Sequence, residues 1–241
     1  GPTQTLAISK GSFAIGAGVY DATLITDQRG EDRHSLPTIG AYEPAYSIWA
    51  GTSSTDWSTA SNWESSISPK SNYDVFIPNV TNDPIISTSV ECSELDIAVG
   101  ANLRIAPTGT LKVNDIIENN NGTAGLVLES DNTGTGKLVN NTEGVQATVQ
   151  QYIVKDQWHY VSSPISDLTD VNTVFNKFYL IKNDESLGID NPWVYLEQGE
   201  GMNRGKGYGV MWDRSHKPEE GEYTDQTVSF AGALNTGFVS P

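Results

Sequence analysis

The chain has 241 residues and a net charge of −16, with 30 Asp and Glu against 14 Lys and Arg. A field of that sign repels nucleic-acid phosphates and anionic lipid surfaces, so neither nucleic acid nor direct membrane insertion is expected. At 37%, the hydrophobic content is enough to build a core, and no run of about 18 apolar residues is present to cross a bilayer. The carboxylates suit a solubilising role or calcium. Cys92 is the sole cysteine. It can form no internal disulfide, and in an exported chain that points to a bacterial source, with Cys92 a small core residue.

Taken in chain order, short apolar runs alternate with Ser, Thr, Asn and Gly throughout, the pattern of many short strands joined by turns. Residues 1–46 hold Leu6/Ile8, Phe13/Ile15 and Leu24/Ile25, then the polar run 26–30. Residues 47–144 begin with Trp49, Trp57 and Trp63. They continue into Leu95-Asp96-Ile97, Leu103-Arg104-Ile105 and Leu111-Lys112-Val113, one triplet every eight residues (103 − 95 = 111 − 103 = 8). Alternation places both apolar residues of each triplet on one face and the charged residue on the other. Such a unit buries its face only by stacking on others. Leu126-Val127-Leu128 and Leu138-Val139 extend the series with looser spacing. Two readings stand for this zone, a short β-solenoid and an antiparallel sandwich.

Residues 145–241 open with a long strand at 145–154. Trp158-His159-Tyr160-Val161, Trp193-Val194-Tyr195-Leu196, Tyr208-Gly209-Val210-Met211-Trp212 and Thr227-Val228-Ser229-Phe230 follow. These runs are apolar on both faces, as the inner sheets of a jelly-roll-like β-sandwich are, and its last strands are expected beyond Pro241. One short helix is predicted, about Thr169 to Tyr179, capped by Ser166 or Asp167. The fold class is therefore all-β: a solenoid or sandwich module, then a β-sandwich module, with at most one short helix.

Two segments resemble known families. Ala14-Ile15-Gly16-Ala17-Gly18, Thr26-Asp27-Gln28-Arg29-Gly30, Arg33 and Ile39-Gly40-Ala41-Tyr42-Glu43 look like the closing segment of bacterial right-handed parallel β-helix surface proteins. That covers under a fifth of the chain. Trp49, Gly51, Trp57, Asn62-Trp63, Pro69, Asp74-Val75, Ile77-Pro78, Pro84, Ile86 and Cys92 resemble the modular region of large type IX-secreted proteins of Bacteroidetes. So do Gln151-Tyr152-Ile153, the run 158–164, Gly205-Lys206-Gly207-Tyr208 and the ending 230–237. The resemblance implies export to the outer surface of a Gram-negative cell, and adhesion or polysaccharide use. It brings no catalytic residues.

No standard catalytic string is present. Gly134-Thr135-Gly136-Lys137 has Leu138 where a phosphate loop needs Ser or Thr for magnesium, and Asp131 where it needs its first Gly. Gly205-Lys206-Gly207-Tyr208-Gly209 lacks dinucleotide-fingerprint spacing. There is no His-Glu-x-x-His and no Gly-x-Ser-x-Gly. His34, His159 and His216 are far apart in sequence, and His159 is expected in the core. A glycosidase needs two carboxylates about 5–10 Å apart, which sequence does not single out. Asp131 and Asn132 on one turn, and Glu219, Glu220, Glu222 and Asp225 on another, offer the oxygen ligands calcium prefers.

Trp193, Tyr195, Tyr208 and Trp212 form the candidate glycan platform. Flat aromatic faces pack against the C–H faces of sugars, and polar neighbours read the hydroxyls. The expected function is a non-catalytic extracellular module acting in adhesion or as a spacer. The alternatives are a carbohydrate-binding accessory region and a fragment of a β-helical lyase. Partners are expected among polysaccharides, host or cell-surface glycans, and neighbouring domains of the same protein.

Overall fold

A computed structural model describes residues 4–8, 12–14, 17–34, 37–64, 66–188, 192–196, 199–212 and 224–236. Its first module is a short three-turn β-solenoid. The strand β1 (Tyr46–Ile48) leads in, and β2 (Asp74–Ile77), β3 (Ile85–Ile86) and β4 (Ser89–Cys92) make the first turn. The second turn is β5 (Leu95–Ile97), β6 (Leu103–Ile105) and β7 (Thr110–Val113). β8 (Ile117–Asn119) opens the third, followed by the single helical turn α1 (Gly122–Gly125) and β9 (Leu126–Leu128). A hairpin of β10 (Ser130–Asp131) and β11 (Gly134–Thr135) is inserted before β12 (Lys137–Val139) closes that turn.

Three parallel walls result, β1-β2-β5-β8, β3-β6-β9 and β4-β7-β12. The eight-residue triplets therefore do not stack on one another. Each step of eight carries the chain to the next wall, and stacking occurs one full turn later. Val75, Leu95 and Ile117 align across the first wall, and Ile86, Ile105 and Leu128 across the second. All six are buried. Burying each aliphatic side chain contributes about 1.5–3 kcal/mol, so these columns dominate the module's stability. The middle residues Asp96, Arg104 and Lys112 point outward, where Arg104 pairs with Glu129 and Lys112 with Glu91. The looser spacing after residue 113 comes from α1 and the inserted hairpin.

A solenoid end exposes sheet edges and core, and here the first turn is covered. Trp63 stands edge-on to both Trp49 and Trp57, with centroids 5.0 and 4.8 Å away. The Trp49 indole donates to the Asn82 carbonyl and that of Trp63 to the Trp57 carbonyl. Asn62, fully buried, accepts from the amides of Ser53 and Ser54 at 2.9 Å each. The Trp and Asn residues of the sequence motif thus build a cap.

Residues 17–45 contribute no strand among those described, only the bridge Thr26–Asp32. They are held by buried charge. Glu43 accepts from the Thr38 amide at 2.9 Å and meets Arg33 and His34 at 3.4 and 3.1 Å. His34 in turn stands edge-on to Tyr46, 4.8 Å away, and lies against Tyr73. Its Nδ1 faces Glu43, while its Nε2 is buried without a hydrogen-bond partner. Burial holds the His34 pKa below its ordinary value, although the Glu43 carboxylate pulls the other way. Below about pH 6.5 the unfolded chain therefore takes up a proton that the folded one resists, and stability falls as pH drops through that value. His34→Gln, which keeps a donor for Glu43 but does not titrate, is expected to flatten the melting temperature between pH 7 and 5.5. An equal slope in the variant would contradict this.

The second module is a β-sandwich. β13 (Gln146–Ile153) runs antiparallel to β18 (Gln226–Ala233), and its other edge pairs in parallel with β9. The second solenoid wall thereby continues into the sandwich as one five-stranded sheet. Along β13, Ala147 lies in the solenoid core and Ile153 in the sandwich core, with Val149 touching both. Opposite lies an antiparallel sheet of β14 (Trp158–Val161), β15 (Tyr179–Asn183), β16 (Trp193–Tyr195) and β17 (Tyr208–Met211), in the order β14-β17-β15-β16. Leu180, Val210 and Trp212 meet Val228 and Phe230 between the layers.

The predicted helix at 169–179 is only a 3-10 turn, Val171–Thr173, capped by Asp170. Val171 and Phe175 do face the core together. Asn172, Thr173 and Asn176 are weak helix formers, and the positive φ of Lys177 turns the chain out before β15.

Candidate functional site

The four-stranded sheet has one face on the core and one on solvent. Ladder register fixes which residues share the outer face. Tyr160 lies across from Gly209, Gly209 from Ile181, and Ile181 from Tyr195. Trp158 and Tyr179 both pair with Met211, and Trp193 pairs with Asn183. Period-two alternation puts all of these on the side away from Val161, Leu180 and Val210.

Four large rings on that face are open to solvent, Tyr160 at 76%, Tyr195 at 65%, Trp158 at 45% and Trp193 at 40%. β14 and β16 are the two edges of the sheet, yet the rings of Tyr160 and Trp193 come within 6.3 Å. They lean toward each other across the middle strands. Tyr195 and Tyr179 lie 6.2 Å apart at a tilt of 45°. The face is therefore tiled by aromatic rings from edge to edge.

Gly209 sets its floor. A Cβ there would sit 2.7 Å from the Ile181 side chain and 3.4 Å from the Trp158 ring. Only glycine lets Ile181 and Trp158 close over the centre strand. The result is a contiguous aromatic face left open to solvent on the side of the sheet away from the core.

The predicted platform divides between the two faces. Trp193 and Tyr195 are on the exposed side. Tyr208 and Trp212 are buried on the core side, at 2% and 5% exposure, so they do not belong to the platform. The Tyr208 hydroxyl accepts from the Asn203 amide at 2.7 Å, and the Trp212 indole donates to the Thr224 carbonyl at 3.1 Å. Residues 208, 210 and 212 share one parity and 193 and 195 the opposite face, so aromatic content alone mixed two surfaces. Trp158, Tyr160 and Tyr179 were missed. The alternation in Trp158-His159-Tyr160-Val161 carried the signal, with two rings on one side and Val161 on the other.

At one end of this face β15 leaves and β17 enters, forming a cleft of about 780 Å³. Asn183, Asp184, Ser186, Asn203, Lys206 and Gly207 line it. Hydrogen bonds from Ser186 hold the Asp184 carboxyl below its ordinary pKa, with Lys182 and Lys206 adding to the effect. Lys182 is paired with Glu200 at 2.6 Å.

The calcium candidates are placed as follows. Asp131 accepts from the amide and hydroxyl of Thr133 at 2.7 and 2.6 Å, and Asn132 lies exposed at the same hairpin. Asp225, far from them in sequence, accepts from the Lys155 amide at 3.1 Å and from the Tyr152 hydroxyl. Glu219, Glu220 and Glu222 lie outside the described residues. Among the described residues no three His, Cys, Asp or Glu side chains are grouped to hold a metal. His159 is half-buried, its Nε2 3.1 Å from the Val154 amide. Cys92 is buried in the solenoid, and burial pushes its thiol up to about 12, which leaves no thiolate at neutral pH.

The architecture defines an all-β chain, a capped solenoid fused to a sandwich that presents an aromatic outer sheet. Residues 48–241 match the model of the domain of unknown function DUF8693, and the chain belongs to that family. The match runs through both modules and leaves out the charge-held segment before β1. No curated protein and no solved structure matches the chain. No helix among the described residues is long and apolar enough to cross a membrane.

Proposed function

We propose that this chain is a non-catalytic, glycan-binding β module of a secreted or surface-displayed bacterial protein, and that it binds through the outer face of the four-stranded sheet. The observation that carries this reading is the set of four exposed rings, Trp158, Tyr160, Trp193 and Tyr195, tiled across one face. Rings in that arrangement offer flat apolar area beside polar groups, as sugar recognition requires: C–H faces stack on the rings, and hydroxyls meet the amides at the end of the sheet. The solenoid then serves as a rigid mount, and the net charge of −16 keeps anionic surfaces away. Attachment at the outer surface of a Gram-negative cell rests on the likeness to type IX-secreted proteins.

Affinity electrophoresis in gels containing neutral polysaccharides tests this. The wild type is expected to be retarded by at least one polymer. Tyr160→Ala and Trp193→Ala should each weaken binding about 30-fold, as loss of an aromatic hot spot of about 2 kcal/mol does. Both rings are exposed, so the melting temperature should hold. Retardation unchanged in both variants would contradict the assignment.

A further inference from the structure

The ring face and the polar cleft meet. Asn183 is the cross-strand partner of Trp193 and also lines the cleft. Gly207 precedes Tyr208, the ladder partner of Lys182, so it lies level with Asn183. Gly205, Gly207 and Gly209 have the same parity, and the first two line the cleft. No atom lies within 4 Å of a Cβ built on Gly207, so this position on the cleft lining opens onto free space. Gly209, by contrast, is closed over by Ile181 and Trp158.

We infer that ring face and cleft form one extended site for a neutral polysaccharide chain, in which one sugar stacks on Tyr160 and Trp193 and the next passes over Gly207 into the cleft. This rests on the glycan reading above and adds to it the ligand's direction, extent and charge class. The cleft supplies donors and acceptors together: the side-chain amides of Asn183 and Asn203, the Ser186 hydroxyl, the Lys206 ammonium and the Asp184 carboxylate. Hydroxyl groups, which both donate and accept, fit such a mixture. A polyanion does not, because Lys182 is paired with Glu200 and the cleft lining sets Asp184 and Glu185 beside Lys206. The cleft therefore holds no surplus of positive charge, and the chain as a whole repels anions.

Titration calorimetry on the full chain, with neutral oligosaccharides of increasing length and with a uronic-acid oligomer, tests the inference. The wild type is expected to gain affinity with length until the cleft is filled, and to bind the charged oligomer no more tightly than the neutral one. Gly207→Leu meets no protein atom at its Cβ and should fold normally. It should abolish the gain with length, a loss of about tenfold for the longer ligand, and leave the shortest ligand bound as before. Asn203→Ala should act in the same direction.

If Gly207→Leu binds the long oligomer as tightly as the wild type, or if the uronic-acid oligomer binds best, the inference fails. Loss of binding in Tyr160→Ala and Trp193→Ala would then still leave the ring platform standing. If no neutral sugar binds the wild type, the platform itself is overturned.

Discussion

Phe230→Ala is expected to lower the melting transition of the whole chain by roughly 10 °C without splitting it. Phe230 is fully buried in the sandwich, edge-on to Phe175 with centroids 5.5 Å apart. Removing such a ring costs about 3–5 kcal/mol, and each kcal/mol moves the midpoint of a chain this size by about 2–4 °C. The absence of splitting follows from the shared strand. Phe230 pairs with Val149 on β13, Val149 packs in both cores, and the same strand continues the solenoid wall through β9. A sandwich that lets go of β13 strips the last covering strand from that wall. Calorimetry checks the point: one endotherm, shifted down, is the expected trace. Two separated endotherms would show that the modules unfold independently.

The second large effect belongs to a corner of the solenoid. Gly109→Ala would place a Cβ 2.1 Å from the carbonyl oxygen of Ile86, one turn below. That oxygen cannot withdraw, because it accepts the Ala106 amide at 2.9 Å in the bond that joins the two turns. Gly136 repeats the arrangement one turn later. Its Cβ would meet the Ile105 oxygen at 2.4 Å, and that oxygen accepts from Glu129 at 2.9 Å. Neither glycine is needed for an unusual φ; each is needed because two backbones touch. Forcing a methyl into such a contact costs about 3 kcal/mol, which denaturant unfolding of Gly109→Ala would register as a lowered midpoint. Gly207→Ala, whose methyl enters open space, is the matched control and should be neutral. Equal stability of the two variants would contradict the stacked-corner geometry.

Much of the fold was legible because strand chemistry is local. Leu103-Arg104-Ile105 reads as a strand with one apolar face, and it is one. What the eight-residue spacing could not say is which unit stacks on which. Stacking is a contact between residues about twenty positions apart, such as Val75 with Leu95, and no feature of a single triplet points to its partner. The same limit affects the helix at 169–179. Val171 and Phe175 have helical spacing and do turn inward together, but the core is reached by a 3-10 turn and a bend at Lys177.

The platform was half legible for a different reason. Each sandwich strand carries apolar residues on both faces, so alternation names two sets without saying which is inside. In β17, Tyr208 and Val210 have one parity, Gly209 and Met211 the other, and the fuller set took the core. β16 offers Trp193 and Tyr195 against Val194 alone, and as an edge strand it turns the two rings outward. Tyr208 and Trp212 were grouped with them by residue type, whereas parity separates the two pairs. Closure of Tyr160 onto Trp193 joins opposite edges of the sheet, a pairing that only the strand order β14-β17-β15-β16 reveals.

The claim that sugars bind this outer face is most directly tested by the six indole N–H resonances of the folded chain during titration with a neutral oligosaccharide. Trp158 and Trp193 lie on the exposed face, Trp49, Trp57 and Trp63 in the solenoid cap, and Trp212 between the sandwich layers. Saturable shifts of the Trp158 and Trp193 signals, with the four buried indoles unmoved, are the expected result. Shifts confined to the cap tryptophans, or no shift with any neutral sugar, would contradict it.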